Sequence, residues 1–399
     1  MMKFCIKIVV LSISLSILHI ESASSTLTPK NRGNKKKIQE KPLKIRTGPQ
    51  KYSVFDKSFV TETVVAKDIL ENYQAFFTET DEYNFNGLVL GYVTPWNNHG
   101  YDVAKIFGNK FTHISPVWLQ IRRKGPKLYS LTGTHDIDKK WVITVKNAGR
   151  ERKTKVLPRV IFEGWTLSDY TALFNDKNEL NSLTQTLVES CKQYSFDGFT
   201  LEVWTQIAGA VKSDILVAFV KFVGDTFALE KLHFVLVIPP KRSEYELFTK
   251  DQFDQLYDHV TAFSLMTYDY SNSQIPGPNA PSSWVEDSIT SISSNLTQRP
   301  KILMGLNFYG NDYTASGGGS IIFHDYIKLL KKNPEQKLKY NPEVEEHYFD
   351  YKDDKGVKHL VFYPTLYSIF KKIDLAHRLN TGISIWEIGQ GLDYFYDLL

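Results

Sequence analysis

The sequence has little cysteine, and this scarcity limits how the fold can be held together. Of its 399 residues, only Cys5 and Cys191 are cysteines. Because Cys5 lies in an N-terminal leader, Cys191 alone remains in the body of the chain, and no internal disulfide can form there. We therefore expect a fold that rests on its hydrophobic core. Cys191 is expected to be a buried structural thiol, with a reactive thiol as the alternative.

Long hydrophobic runs are absent after the first 24 residues, which predicts a chain without further membrane spans. Two lysines precede the apolar run 8–20, and small residues follow it. This layout predicts a secretory signal peptide over residues 1–24, and an uncleaved anchor is the alternative. We expect a secreted protein, with routing to lysosomes left open. The Asn-Leu-Thr triplet at Asn295 would then suit N-glycosylation on a surface loop.

Strong charge of one sign is absent outside the N-terminal segment. Residues 1–51 hold 11 basic and 2 acidic side chains, whereas the remainder holds 37 basic and 42 acidic ones. Residues 25–51 are polar, basic and interrupted by prolines, which is typical of a flexible tail, although a nucleic-acid or glycosaminoglycan patch is the alternative. No other basic patch or zinc-ligand spacing occurs, so we expect no nucleic-acid partner, no metal and no cofactor.

The body of the chain, residues 52–399, alternates helical patterns with short apolar runs. Each run is rich in Val, Ile and Phe and is followed by an amphipathic stretch, as in parallel strands covered on both faces. The eight runs begin at Gly87, Phe111, Val156, Phe196, His233, Val260, Lys301 and Gly382. Eight such units predict an α/β fold, a closed (β/α)₈ TIM barrel. A doubly wound open sheet is the alternative, but no Gly-rich phosphate turn follows any strand.

The longest interval between predicted strands, about residues 310–381, indicates an insertion between strands seven and eight. It contains "HYFDYKDDKGVKHLVFYP", in which two aromatic-rich runs flank a charged turn. This pattern predicts a small β-hairpin.

Aromatic side chains gather where the predicted strands end, which is where the loops of such a barrel form its site. Five of the seven tryptophans lie at or just past these ends, and they are Trp96, Trp118, Trp165, Trp204 and Trp386. Their flat faces suit sugar rings, although single ones could instead plug the top of the barrel. Further candidates near the same ends are Tyr92, Met266, Tyr268 and Asp269.

The fourth strand, "DGFTLEVW", brings a carboxylate into the predicted barrel. Alternation sends Thr200, Glu202 and Trp204 to one side and the apolar residues between them to the other. The apolar set must face the helices, so Glu202 points inward. An unpaired carboxylate there is costly, and we expect Tyr268 or Asp269 to be its hydrogen-bond partner.

These motifs resemble glycoside hydrolase family 18, which contains chitinases and chitinase-like lectins. "FDGFTLEVW" resembles the family's DGxDxDxE signature, and "MTYD" fits its MxYD motif. "ILMGLNFYG" and the strand that ends at Trp386 are also similar. In active members the last Glu of the signature is the general acid, the substrate's N-acetyl group attacks, and the preceding Asp orients that group. The resemblance places Glu202 at the orienting Asp and Trp204 at the acid.

The resemblance therefore implies that no catalytic set is intact. Two residues along a strand span ~6.6 Å, whereas a general acid must lie within about 3 Å of the oxygen that it protonates, so we do not expect Glu202 to replace the acid. "IFEGW" also departs from the small-residue pattern of the third strand, and Glu163 lies there.

From this we expect a non-catalytic lectin that binds chito-oligosaccharides or other N-acetylglucosamine-containing glycans, with Trp386 as the floor of its cleft. Trp96, Trp118 and Trp165 would extend the groove. One alternative is a hydrolase with a displaced acid at Glu202, Glu163 or Glu387. The other is a partner-binding protein with a vestigial cleft, for which the resemblance implies a stabilin-type receptor.

Overall fold

The computed structural model describes residues 43–242 and 246–399. The predicted signal peptide and most of the predicted tail lie outside the described residues. Eight parallel strands, numbered β1 to β8, form the centre: Val89–Val93, His113–Pro116, Lys155–Val156 with Arg159–Phe162, Gly198–Glu202, His233–Ile238, Ala262–Leu265, Ile302–Asn307 and Gly382–Trp386.

The eight strands pair in chain order and close into a ring. β8 pairs with β1, where Ile383 lies opposite Val89. β3 has two halves separated by Leu157 and Pro158; the first half pairs with β2, and the second pairs with β4 and with Leu119–Gly125, which continues β2. Proline cannot donate to a ladder, which explains the break. The predicted (β/α)₈ barrel is confirmed.

Helices surround the barrel and bury the outward side chains of its strands. Their bounds are Ala66–Asn72, His99–Ile106, Lys139–Ala148, Leu167–Asn175, Lys177–Tyr194, Trp204–Ile207, Ser213–Leu229, Lys250–Leu256, Ser282–Ile292, Phe323–Leu330 and Leu366–Leu379. Cys191 is buried in this layer, and burial raises the pKa of its thiol to about 12, as expected for a structural thiol. Within the described part of the chain, no helix combines the length and apolar character needed to cross a bilayer.

Two apolar layers separate the outside of the barrel from its inside. Phe199 and Leu201 of β4 belong to the large outer layer against the helices. A smaller cluster fills the interior and consists of Leu90, Tyr92, Val117, Leu157, Val235, Ala262 and Leu303, with Leu88 and Trp386 packed against it. Alternation along β4 therefore holds as predicted as far as Glu202.

The insertion is larger than the predicted hairpin. Glu346–Lys352 and Lys358–Phe362 form that hairpin, within a five-stranded antiparallel sheet completed by Gly310–Thr314, Gly317–Ile321 and Lys339–Asn341. These three strands carry little sequence signal because two are glycine-rich or very short, and glycine has little strand preference.

Part of the predicted tail is ordered. Thr47–Gln50 pairs in parallel with Gln74–Phe77, although residues up to 51 were expected to be flexible. Arg46 contributes to this anchoring, because its backbone N–H donates to the carbonyl of Glu71 and its Nη1 donates to Oδ1 of Asn72 at 3.0 Å.

Candidate functional site

The interior end of the barrel carries a small polar and aromatic cluster. Tyr92 on β1 donates its hydroxyl proton to Oγ of Ser264 on β6 at 2.8 Å. The Tyr92 ring also contacts the half-buried indole of Trp386, with ring centroids 5.1 Å apart. Trp386 thus rests on the interior cluster with part of its surface exposed, in the place expected for a ring that stacks on a ligand. We call this end of the barrel the mouth.

Glu202 points into the barrel, as predicted, but its partner is not the one expected. Nε of Arg159 donates to Oε2 of Glu202 at 2.7 Å, in place of a bond from Tyr268 or Asp269. Arg159 lies on β3 opposite Thr200, and its long side chain reaches along the barrel to the carboxylate. Sequence reasoning missed Arg159 because its inward direction depends on the register of β3.

Tyr268 lies close to this ion pair. Burial raises the pKa of the Tyr268 hydroxyl well above its usual value, with smaller contributions from Tyr92 and Glu202. Burial also raises the pKa of the Tyr92 hydroxyl, with a smaller contribution from Glu202, and Arg159 lowers the pKa of both tyrosines. The two hydroxyls, the carboxylate and the guanidinium therefore share one electrostatic environment. Both tyrosines stay neutral there and can donate hydrogen bonds.

Asp269 is exposed just beyond Tyr268 and is fixed by two neighbours. The hydroxyl of Tyr309 donates to its carboxylate, and its backbone N–H donates to Oδ1 of Asn279 at 2.7 Å. Its φ of +58° belongs to the left-handed region, which Asp tolerates better than most residues. Tyr309 was not among the predicted site residues, although the "FYG" after β7 was the signal that could have found it.

Glu387 follows Trp386 through a cis peptide bond and is fully buried. Its Oε1 accepts a hydrogen bond from Nδ2 of Asn97 at 2.6 Å, and its Oε2 accepts one from the backbone N–H of Gly389 at 2.8 Å. Burial raises the pKa of this carboxyl to about 7, a value that suits a general acid. Because Glu387 is sealed from solvent, it instead ties the end of β8 to the loop after β1.

Trp204 does not face the mouth, contrary to the prediction from alternation. β4 ends at Glu202, Val203 has a helical backbone, and Trp204 begins the short helix Trp204–Ile207. The indole is 1% exposed in the outer layer, where Nε1 donates to the carbonyl of Leu247 at 2.7 Å and the ring packs on Phe248. Alternation holds only along an extended backbone, and here that backbone ends two residues early.

Trp118 and Trp165 also lie outside the barrel, so the prediction that they extend the groove is wrong. Trp118 is fully buried, packs on Trp141, and donates from Nε1 to the hydroxyl of Tyr101 at 2.6 Å. Trp165 is half-buried and donates from Nε1 to the carbonyl of Ile121 at 2.8 Å. A tryptophan at a strand end can turn to either side, and these two turn toward the helices.

The other predicted residues occupy separate surfaces. Trp96 is 70% exposed in the loop after β1, and Met266 is half-buried just past β6. Glu163 is exposed and pairs with Nη2 of Arg122 at 2.6 Å. Asn295 is exposed in a loop, and its glycosylation stays a prediction.

A groove of about 610 Å³ runs along the inserted sheet. Pro276, Tyr313 and His359 are among its lining residues, and none of the predicted site residues lines it. Within residues 43–242 and 246–399, no group of three or more His, Cys, Asp or Glu side chains could hold a metal ion.

Comparison with known proteins agrees with the barrel and its motifs. The family model for glycosyl hydrolases family 18 matches residues 88–391. The cortical fragment-lytic enzyme of Bacillus subtilis is 27% identical over 232 residues, which cover 54% of this chain and 52% of that enzyme. With an uncharacterized B. subtilis glycosylase, YvbX, the chain is 22% identical over 56% of its own length and 66% of the relative's. The chain thus spans about half to two thirds of the length of these relatives.

Solved structures share the fold. A chitinase from Chromobacterium violaceum superposes with a TM-score of 0.64 at 20% identity, covering 78% of this chain and 98% of that one. A mutant chitinase from Cycas revoluta in complex with (GlcNAc)4 gives a TM-score of 0.64 at 16% identity, covering 78% and 97%. At this identity the likeness shows a common fold. Because the family model matches well over half of the sequence, the chain belongs to glycosyl hydrolases family 18.

Proposed function

We propose that this protein is a non-catalytic member of the family that binds chito-oligosaccharides or other N-acetylglucosamine-containing glycans. The observation that carries the proposal is the placement of Trp204. It takes the general acid's position in the signature, and its backbone has already left the strand. A general acid must reach the glycosidic oxygen within about 3 Å, and a side chain buried in the outer layer offers no proton there.

The mouth supports the binding half of the proposal. Trp386 exposes part of an indole on the platform made with Tyr92, and such a face suits the apolar side of a sugar ring. The Tyr268 hydroxyl can donate to a ligand, and Glu202 can accept from one, which supplies the few oriented polar groups typical of ligand sites. The (GlcNAc)4 bound in the Cycas revoluta chitinase supports the ligand class.

A hydrolase with a displaced acid is the second candidate, because one relative is named as a lytic enzyme. The three alternative acids are all engaged elsewhere. Glu202 pairs with Arg159, Glu163 pairs with Arg122 on the surface, and Glu387 is fully buried. Loss of general acid catalysis typically lowers rate by roughly 10²–10⁴, so residual turnover would be slow.

One experiment separates these candidates. The protein is titrated with chitotetraose in a calorimeter, and a fluorogenic chito-oligosaccharide is incubated with the same preparation. We expect saturable binding without release of the fluorophore. Steady turnover that disappears in Glu202→Gln or Glu387→Gln would contradict the proposal and establish a displaced acid. Absence of binding to a glycan array would favour a vestigial cleft.

We also propose that the protein is secreted and that the barrel surface can engage a stabilin-type receptor. The leader-like residues 1–24 support secretion. A pull-down with the receptor ectodomain tests the partner, with the Trp386→Ala variant as the comparison. Receptor capture that survives this change would place the receptor contact outside the mouth.

A further inference from the structure

The Arg159–Glu202 ion pair lies where a ligand would enter the barrel, and the family signature gives Arg159 no role. The side chains are 16% and 23% exposed, so solvent reaches both. Nε of Arg159 is used by Glu202. Among the described residues, the two Nη groups have no protein acceptor, which leaves up to four N–H donors for a ligand.

The pair also sets the charge of the mouth. Glu202 alone would present a carboxylate that attracts a cation, whereas Arg159 balances that charge at 2.7 Å. The neighbouring groups are the neutral hydroxyls of Tyr92 and Tyr268, and the carboxylate of Asp269 already accepts from Tyr309. The mouth therefore offers several donors and the Glu202 carboxylate, whose charge Arg159 balances, while the separate carboxylate of Asp269 lies just beyond Tyr268.

We propose that Arg159 determines specificity for the N-acyl group of the bound sugar. This inference rests on the proposed glycan-binding function. An acetamide has a carbonyl oxygen that accepts from Arg159 Nη or from the Tyr268 hydroxyl, and an N–H that donates to the second oxygen of Glu202. A free amine, as in deacetylated glucosamine, is a cation with three donors and no acceptor. It meets the guanidinium as a like charge, so Arg159 favours acetylated chains over deacetylated ones.

The test measures the preference for the acetylated over the deacetylated oligomer. A purely structural role for Arg159 would not change this preference. Calorimetry compares chitotetraose with its fully deacetylated counterpart at a pH where the amines are protonated. We expect the wild-type protein to prefer the acetylated ligand by at least about tenfold. Arg159→Met should weaken binding of the acetylated ligand and strengthen binding of the amine, so that the preference ratio falls by about tenfold or more. Arg159→Lys, which keeps the positive charge, should keep most of the preference.

One further variant guards against a folding effect. Combining Glu202→Gln with Arg159→Met removes the carboxylate that Arg159→Met leaves unpaired. We expect this double variant to lose the gain in affinity for the amine, and its circular dichroism spectrum should show that it stays folded. An unchanged preference ratio in folded Arg159→Met would overturn the role of Arg159 and leave the glycan-binding function intact. A wild-type protein that binds neither oligomer would overturn both.

Discussion

Removal of the Trp386 indole is the sharpest test of the proposed cleft. The side chain lies on Tyr92 with part of one face exposed, and a sugar ring laid on that face would cover roughly 60 Å², about a third of an aromatic side chain's area. At about 25 cal/mol per Å² this contact contributes roughly 1.5 kcal/mol, or about tenfold in affinity. We therefore expect Trp386→Ala to weaken chitotetraose binding by tenfold or more in calorimetry.

The control for this variant is Trp165→Ala. Trp165 is also half-buried, but it packs on the outer side of the barrel and donates to the carbonyl of Ile121. Truncating a fully buried tryptophan to alanine lowers stability by about 3–5 kcal/mol. Trp386 and Trp165 are partly exposed, so we expect a smaller loss of stability in both variants. The cleft would be supported if both variants lose similar stability but only Trp386→Ala loses affinity for chitotetraose. Equal affinities in both variants would refute Trp386 as its floor.

The remaining predictions concern the two residues that replace or mimic an acid. Trp204→Glu restores the family's residue type at the acid position. We expect this variant to be destabilised and to show no hydrolysis, because the carboxylate would lie unpaired in the outer layer. Trp204→Phe is the packing control, and fluorophore release by Trp204→Glu would contradict the placement of this residue. Glu387 has a folded-state pKa of about 7 against an ordinary value of 4.5, so the folded protein binds the extra proton between these values. Stability should therefore fall as the pH rises from 4.5 to 7, by about 3 kcal/mol at most from this group. Glu387→Gln should flatten that part of the profile in urea unfolding, and an unchanged slope would show that other groups cause it.

The fold could be predicted from the sequence because barrel strands covered on both faces leave a strong signal. The inward direction of Glu202 could also be predicted, because side chains alternate between the two faces of β4 as far as this residue. The placement of Trp204 could not be predicted, because alternation assumes that the strand continues, and the helical backbone of Val203 ends it. Arg159 was missed because its reach to Glu202 depends on how β3 and β4 are aligned.

The tryptophans show a second limit on what could be predicted from the sequence. Trp118 and Trp386 both end predicted strands, yet one lies in the outer layer and the other at the mouth. Nothing in local sequence separates these outcomes, since both sides of the barrel wall at this end can accept an aromatic ring. The insertion was recognised only where its strands were long and aromatic, and its glycine-rich edge gave no usable pattern.

The hydrogen bond between Asn97 and Glu387 has a consequence for how a long ligand would be held. It fastens the loop that carries the exposed Trp96 to the residue that follows Trp386. The loop is therefore held against the end of β8 before any ligand arrives. Under the proposed function, a glycan that reached this loop would lose its own conformational freedom but would not have to order the loop.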